Sequence, residues 1–181
     1  MKKLSVKSVV ATGIGAALFV IVGLFIRIPL FPNTDIQLQY AVLSLFAGLF
    51  GPIPGFLIGF IGHTLKDSIA YGAPWWTWSI ASGLLGVVLA YAVNSTDLEN
   101  GIFGKSQIIR FNIIQIIGNI VIWSVLAPIG DILIYSEPSN KVFTQGMIAS
   151  VSNIITVGIG GTALLVLYAK TRTKEGSLTK D

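Results

Sequence analysis

Residues 49–83 read LFGPIPGFLIGFIGHTLKDSIAYGAPWWTWSIASG, apolar stretches set apart by Gly51-Pro52-Ile53-Pro54-Gly55 and by Gly72-Ala73-Pro74. Runs of this length and apolarity, punctuated by Pro and Gly, read as helices joined by tight turns. Working outward gives six such runs, at 4–28, 40–50, 55–71, 75–93, 108–128 and 142–169. The fifth could continue brokenly to Tyr135. Two prolines in Gly51–Gly55 are expected to make a turn there, since proline cannot continue a helix. The fold class expected is an all-α integral membrane protein, one membrane domain over residues 1–181 with six transmembrane helices.

Composition agrees. Of 181 residues, 53% are hydrophobic and only 11% charged, against roughly a quarter charged in soluble domains. Mean hydropathy is +0.79. At about 20 residues per span, the length leaves no room for a soluble catalytic or nucleotide-hydrolysing domain. With Cys 0 and His 1, disulfides, thiolate chemistry and multi-histidine metal sites are excluded, so no metal site is expected. The first run begins with Lys2, Lys3 and Lys7, but it is too long for a signal peptide and is read as a retained helix.

The net charge of +4 is a topology signal and gives no reason to expect nucleic acid. With both termini cytoplasmic, nine basic residues (Lys2, Lys3, Lys7, Lys105, Arg110, Lys170, Arg172, Lys174, Lys180) lie inside and three (Arg27, Lys66, Lys141) outside. That bias sets the orientation. Loop 29–39 is then extracellular and loop 94–107 cytoplasmic.

Polar residues inside apolar runs are candidates for a site or for helix packing. His63, Lys66 and Asp67 stand at i, i+3 and i+4, on one helical face that reaches toward Tyr71. That face is read as lining an outward-open cavity, in preference to an interfacial charge pair. Lys66 and Asp67, adjacent in sequence, diverge by about 100° and are not expected to pair. Trp75 and Trp78 share a face that could serve an interfacial belt or stack on a flat ligand. Asn112, Gln115, Asn119 and Trp123 form one stripe, with Asn119 and Trp123 in the outer half and better placed for ligand. Gln145 sits near the outer end of the sixth run; the outer loops add Asn33, Gln37, Gln39, Asp131 and Tyr135, any of which could be merely solvated. On the first helix, Ala11 and Gly15, and likewise Gly13 and Ala17, are small residues four apart, a pattern that lets helices approach closely in lipid.

VKSVVATGIGAALFVI in the first helix, GHTLKD followed by YGAPWW, and the six-run length together resemble the substrate-binding S components of energy-coupling factor (ECF) vitamin transporters, the UPF0397 group in particular. The resemblance covers essentially the whole chain. It implies a plasma-membrane protein without enzymatic activity that captures a vitamin or precursor outside the cell. It implies assembly with a transmembrane T component and two cytoplasmic ATP-binding proteins, which use ATP and Mg; this chain itself needs no cofactor. It places the ligand under the loop joining helices one and two, favouring Asn33, Gln37, Trp75, Trp78, Asn119, Trp123 and Gln145 beside the His63 face. In the family an Ala-x-x-x-Ala pattern on helix one meets the T component; here that position is offered by Ala11 and Gly15 or by Gly13 and Ala17. The ligand expected is a small heteroaromatic compound, of hydroxymethylpyrimidine or pyridoxine kind in preference to riboflavin. The competing expectation is a self-sufficient transporter or channel using His63, Lys66 and Asp67 as an ion relay; an intramembrane enzyme ranks last, since no nucleophile or metal set accompanies His63 and Asp67.

Overall fold

The structure is a computed structural model that describes residues 5–31 and 34–172. Helix α1, Val6–Phe25, starts where the Ser5 hydroxyl accepts the Ser8 N–H at 3.1 Å, an N-cap. It stops three residues short of the expected end. Pro29 lacks an N–H and disfavours helix at the residue before it, so Arg27–Phe31 (β1) instead pairs antiparallel with Thr34–Gln37 (β2), Ile28 opposite Ile36. The expected open loop over 29–39 is therefore in large part a hairpin.

Helices α2, Gln39–Phe50, and α3, Pro52–Tyr71, are separated by Gly51 alone, at φ 90°. The expected turn over Gly51–Gly55 does not form. Pro52 and Pro54 fall in the first turn of α3, where backbone N–H groups have no intrahelical acceptor and proline costs nothing. Helix α4 is Trp76–Ala92, and the expected loop 94–107 holds a short helix, α5, Ser95–Glu99, capped by Asn94.

Helix α6, Lys105–Tyr135, and helix α7, Ser139–Thr171, both exceed their expected spans. Each contains one wide turn of π type, Ile122–Leu126 in α6 and Val157–Gly161 in α7. The first carries α6 past Pro128: the Ala127 N–H bonds to the Ile122 carbonyl five residues back, and the loosened turn accommodates a proline that would break a regular helix.

Helices α1, α6 and α7 are long and apolar enough to cross a membrane; α2 and α4 are apolar but shorter, at 12 and 17 residues. The outer surface carries large apolar side chains such as Ile113, Ile117, Leu133, Val151 and Ile155, while Gln39, Ser44, His63, Ser82, Gln115 and Asn119 are buried. Polar groups inside and apolar groups outside suit a lipid solvent, in which helices associate by close packing and internal hydrogen bonds. The tightest packing joins α3 to α4. A Cβ on Gly59 would collide with the Ser82 carbonyl, and one on Gly86 with the Gly55 carbonyl. Around this contact Phe19, Tyr40, Leu43, Ile58, Leu85 and Trp123 form the core.

Candidate functional site

Because Gly59 brings α4 against α3, the residue one turn further along α3, His63, meets Ser82. The Ser82 Oγ is 2.5 Å from His63 Nδ1 and 2.8 Å from the Tyr40 hydroxyl, which itself lies 3.3 Å from Nδ1. On the other side of the ring, His63 Nε2 is 3.3 Å from Asp67 Oδ2. A carboxylate can only accept, so in a neutral imidazole Nε2 carries the proton and Nδ1 accepts from Ser82, which in turn accepts from Tyr40. Lys66 Nζ lies 3.3 Å from Asp67 Oδ1. The expected divergence of these neighbours is overcome by the length of the lysine stem, which folds back to the shorter carboxylate. All three charged or ionisable groups are nearly inaccessible, at 2%, 5% and 5% exposure for His63, Lys66 and Asp67.

A second polar centre forms on α6. Asp131 is buried, and its Oδ1 accepts from the Trp75 indole at 2.8 Å and from the Thr77 hydroxyl, while its Oδ2 accepts from the Trp78 indole at 2.9 Å. The Trp75 ring packs on Tyr135 with centroids 4.3 Å apart, and the Tyr135 hydroxyl accepts the Trp76 backbone N–H at 3.1 Å. At the rim, Lys141 and Glu137 pair at 2.7 Å.

Between these centres lies a cavity of about 240 Å³ lined by Gln37, His63, Lys66, Asp67, Tyr71, Ala73, Trp75, Trp78, Asp131, Glu137, Lys141, Val142 and Gln145. Gln37 is held by Gln39, whose Nε2 donates to Gln37 Oε1 at 2.6 Å. The hairpin, the C-terminal half of α3, the start of α4, the C-terminal part of α6 and the start of α7 thus converge on one space.

Eight of the residues singled out from sequence line it: Gln37, His63, Lys66, Asp67, Tyr71, Trp75, Trp78 and Gln145. Asn33 lies outside the described residues. Trp123 and Asn119 do not line it. Trp123 is fully buried beneath, its ring 5.3 Å from Trp78 and 5.7 Å from Tyr40. Asn119 donates to the Gln115 carbonyl and side chain at 2.9 and 3.0 Å. Below it, Gln115 donates to the Ile154 carbonyl and Asn112 to Thr162, so this stripe ties α6 to α7. Asp131, Glu137, Lys141, Ala73 and Val142 line the cavity without having been placed there from sequence. The sequence offers Asp131 only among outer-loop residues that could be merely solvated, because the expected helix ends at Pro128 or continues brokenly to Tyr135. The signal that could have found it is the apolar periodicity of Ile129, Ile132 and Leu133 beyond that proline.

On α1 the two small-residue pairs separate. Ala11 and Gly15 are buried, and a Cβ on Gly15 would lie 2.6 Å from Ile58 Cδ1, so this pair packs within the chain and is not open to a partner. Gly13 and Ala17 are exposed on the opposite side of the helix.

A sequence model of the family described as ECF-type riboflavin transporter, S component, matches residues 3–170. UPF0397 protein YdcD of Lactococcus lactis is 64% identical over the full length of both chains. UPF0397 proteins of Streptococcus gordonii and Streptococcus agalactiae are 59% and 55% identical, each over 98% of this chain and at least 95% of the relative. The chain belongs to the ECF transporter S-component family, in its UPF0397 group. It is a membrane protein and a substrate-specificity subunit of a transporter, not a catalytic enzyme.

Proposed function

We propose that this S component captures a small heteroaromatic vitamin or precursor from outside the cell and delivers it through a T component driven by two cytoplasmic ATP-binding proteins. In this reading α1, α2, α3, α4, α6 and α7 are six spans in the plasma membrane with both termini cytoplasmic. The support for that orientation is the nine-to-three distribution of basic residues. The cavity then opens outward. At about 1.5 Å per residue, the 12 residues of α2 extend only about 18 Å, well short of the roughly 30 Å hydrocarbon layer. The hairpin before α2 takes up the missing depth and walls the cavity that the short helix leaves.

The observation that carries the function is the lining itself: two indole rings, Trp75 and Trp78, beside fixed hydrogen-bonding groups on α3 and α6. Flat rings stack on indole, and oriented polar groups select among them. Sites for larger ligands run from about 300 Å³ upward, so a 240 Å³ cavity suits a single ring of hydroxymethylpyrimidine or pyridoxine kind better than the tricyclic riboflavin of the family description. Gly13 and Ala17, open on α1, are the surface offered to the T component. ATP and Mg are used by the partner ATPases, and this chain needs no cofactor.

The test has two parts. The purified chain should bind at least one of hydroxymethylpyrimidine, pyridoxine and riboflavin saturably, seen as quenching of tryptophan fluorescence. Liposomes should accumulate that compound only when T component, ATPases and ATP are present. Gradient-driven uptake by this chain alone would instead support a secondary transporter.

A further inference from the structure

The charges around the cavity are unevenly matched. Its lining holds two lysines and three carboxylates. Lys66 contacts Asp67, and Lys141 contacts Glu137. Asp131 has no cation within salt-bridge distance among the described residues. Its three donors, the Trp75 and Trp78 indoles and the Thr77 hydroxyl, are all uncharged. They occupy lone pairs on both its oxygens and bring no positive charge. A carboxylate has about four acceptor positions. Among the described residues two on Oδ1 and one on Oδ2 are used, which leaves one on Oδ2, in a residue that is 2% exposed and lines the cavity.

A buried carboxyl with an open acceptor position attracts hydrogen-bond donors, and in its carboxylate form it repels other anions more strongly than it would in water. The two indoles beside it add to this bias, since the face of an indole ring attracts cations. We propose that Asp131 receives an N–H from the ring or amino group of the ligand, so that the cavity takes neutral or cationic heteroaromatic rings and rejects their phosphate esters. The inference rests on the reading of this cavity as the capture site and narrows the class of compound it accepts. It also gives the transporter a direction of use: the cell takes up the dephosphorylated compound, and a kinase-type reaction must follow inside if the phosphorylated form is needed.

The experiment is calorimetric titration of the full chain in nanodiscs with hydroxymethylpyrimidine and with pyridoxine, each beside its phosphate ester, repeated with Asp131→Asn. A hydrogen bond to a charged group contributes enough for a change of roughly 10- to 100-fold in Kd. The parent compound that binds is expected to lose at least about tenfold in Asp131→Asn, and its ester to bind at least about a hundredfold more weakly to the unaltered chain. Unchanged affinity in a folded Asp131→Asn protein overturns the inference while leaving the capture site standing. So does an ester that binds the unaltered chain as tightly as its parent, a comparison that holds even if the variant fails to fold. If neither parent binds the unaltered chain, the single-ring reading of the cavity falls, and this inference falls with it.

Discussion

Gly59 and Ser82 meet through bare backbone: the α-carbon of one rests against the carbonyl of the other. The same serine turns its hydroxyl to His63. Helix packing and site geometry therefore share one contact.

Gly59→Val is expected to force α3 and α4 apart, at a cost of about 1–3 kcal/mol as for other overpacked interiors, and to pull Ser82 away from His63. Thermal melting of the purified protein in detergent should show a lower midpoint. A melting curve that overlays the parent's would mean the two helices have slack that this packing does not allow.

Gly13→Leu should do the reverse. Among the described residues, nothing beyond the backbone of its own helix lies within 4 Å of where its Cβ would stand, so melting and ligand binding should match the parent protein. Copurification with the T component should drop if this face is the partner surface. Intact assembly would remove Gly13 and Ala17 from consideration.

Lys66→Met leaves the buried Asp67 without its cation. Stranding one member of a buried pair costs about 3–5 kcal/mol, whereas replacing both members is far milder. The double variant Lys66→Met/Asp67→Asn should thus unfold at higher denaturant than the single one. If the double variant is the weaker of the two, Asp67 does not depend on Lys66.

Thr77→Val keeps the shape of the side chain but takes one donor from Asp131. A hydrogen bond to a charged acceptor contributes about 1.5–3 kcal/mol, so stability should fall by that order. Ligand affinity should weaken as well, through a less firmly held carboxylate. Equal stability of the two proteins would show that the two indoles hold Asp131 unaided.

Because the chain has no cysteine of its own, single cysteines report sidedness directly. Thr96→Cys and Ser139→Cys, both at exposed positions, should react with an impermeant thiol reagent from opposite sides of the membrane, Ser139→Cys from outside. Labelling of both from one side contradicts the six-span orientation.

Much of this site is legible in the sequence. The spacing of His63, Lys66 and Asp67 gave one face of α3, and Trp75 and Trp78 one face of α4, because helical periodicity is a local property. What stayed hidden depended on irregularity. Pro52, Pro54 and Pro128 all read as breaks, yet each lies where its missing N–H is harmless, in a first turn or just past a widened one. The pairing of Lys66 with Asp67 depended on side-chain reach, which backbone angles do not express. Asn119 and Trp123 lie on the stripe expected of them, but Tyr40 and Trp78 close over Trp123 and so leave it beneath the cavity floor.

The wide turn at Ile122–Leu126 acts as a phase correction. In an unbroken α-helix, eight steps from Trp123 to Asp131 would leave the two about 80° apart around the axis; absorbing one surplus residue reduces that to about 20°. Deleting Val125 alone would leave seven steps of plain helix between the two, the same angle of about 20°, so the aspartate would still face both indoles. The widened turn thus takes up an extra residue while leaving the bearing of the carboxylate unchanged.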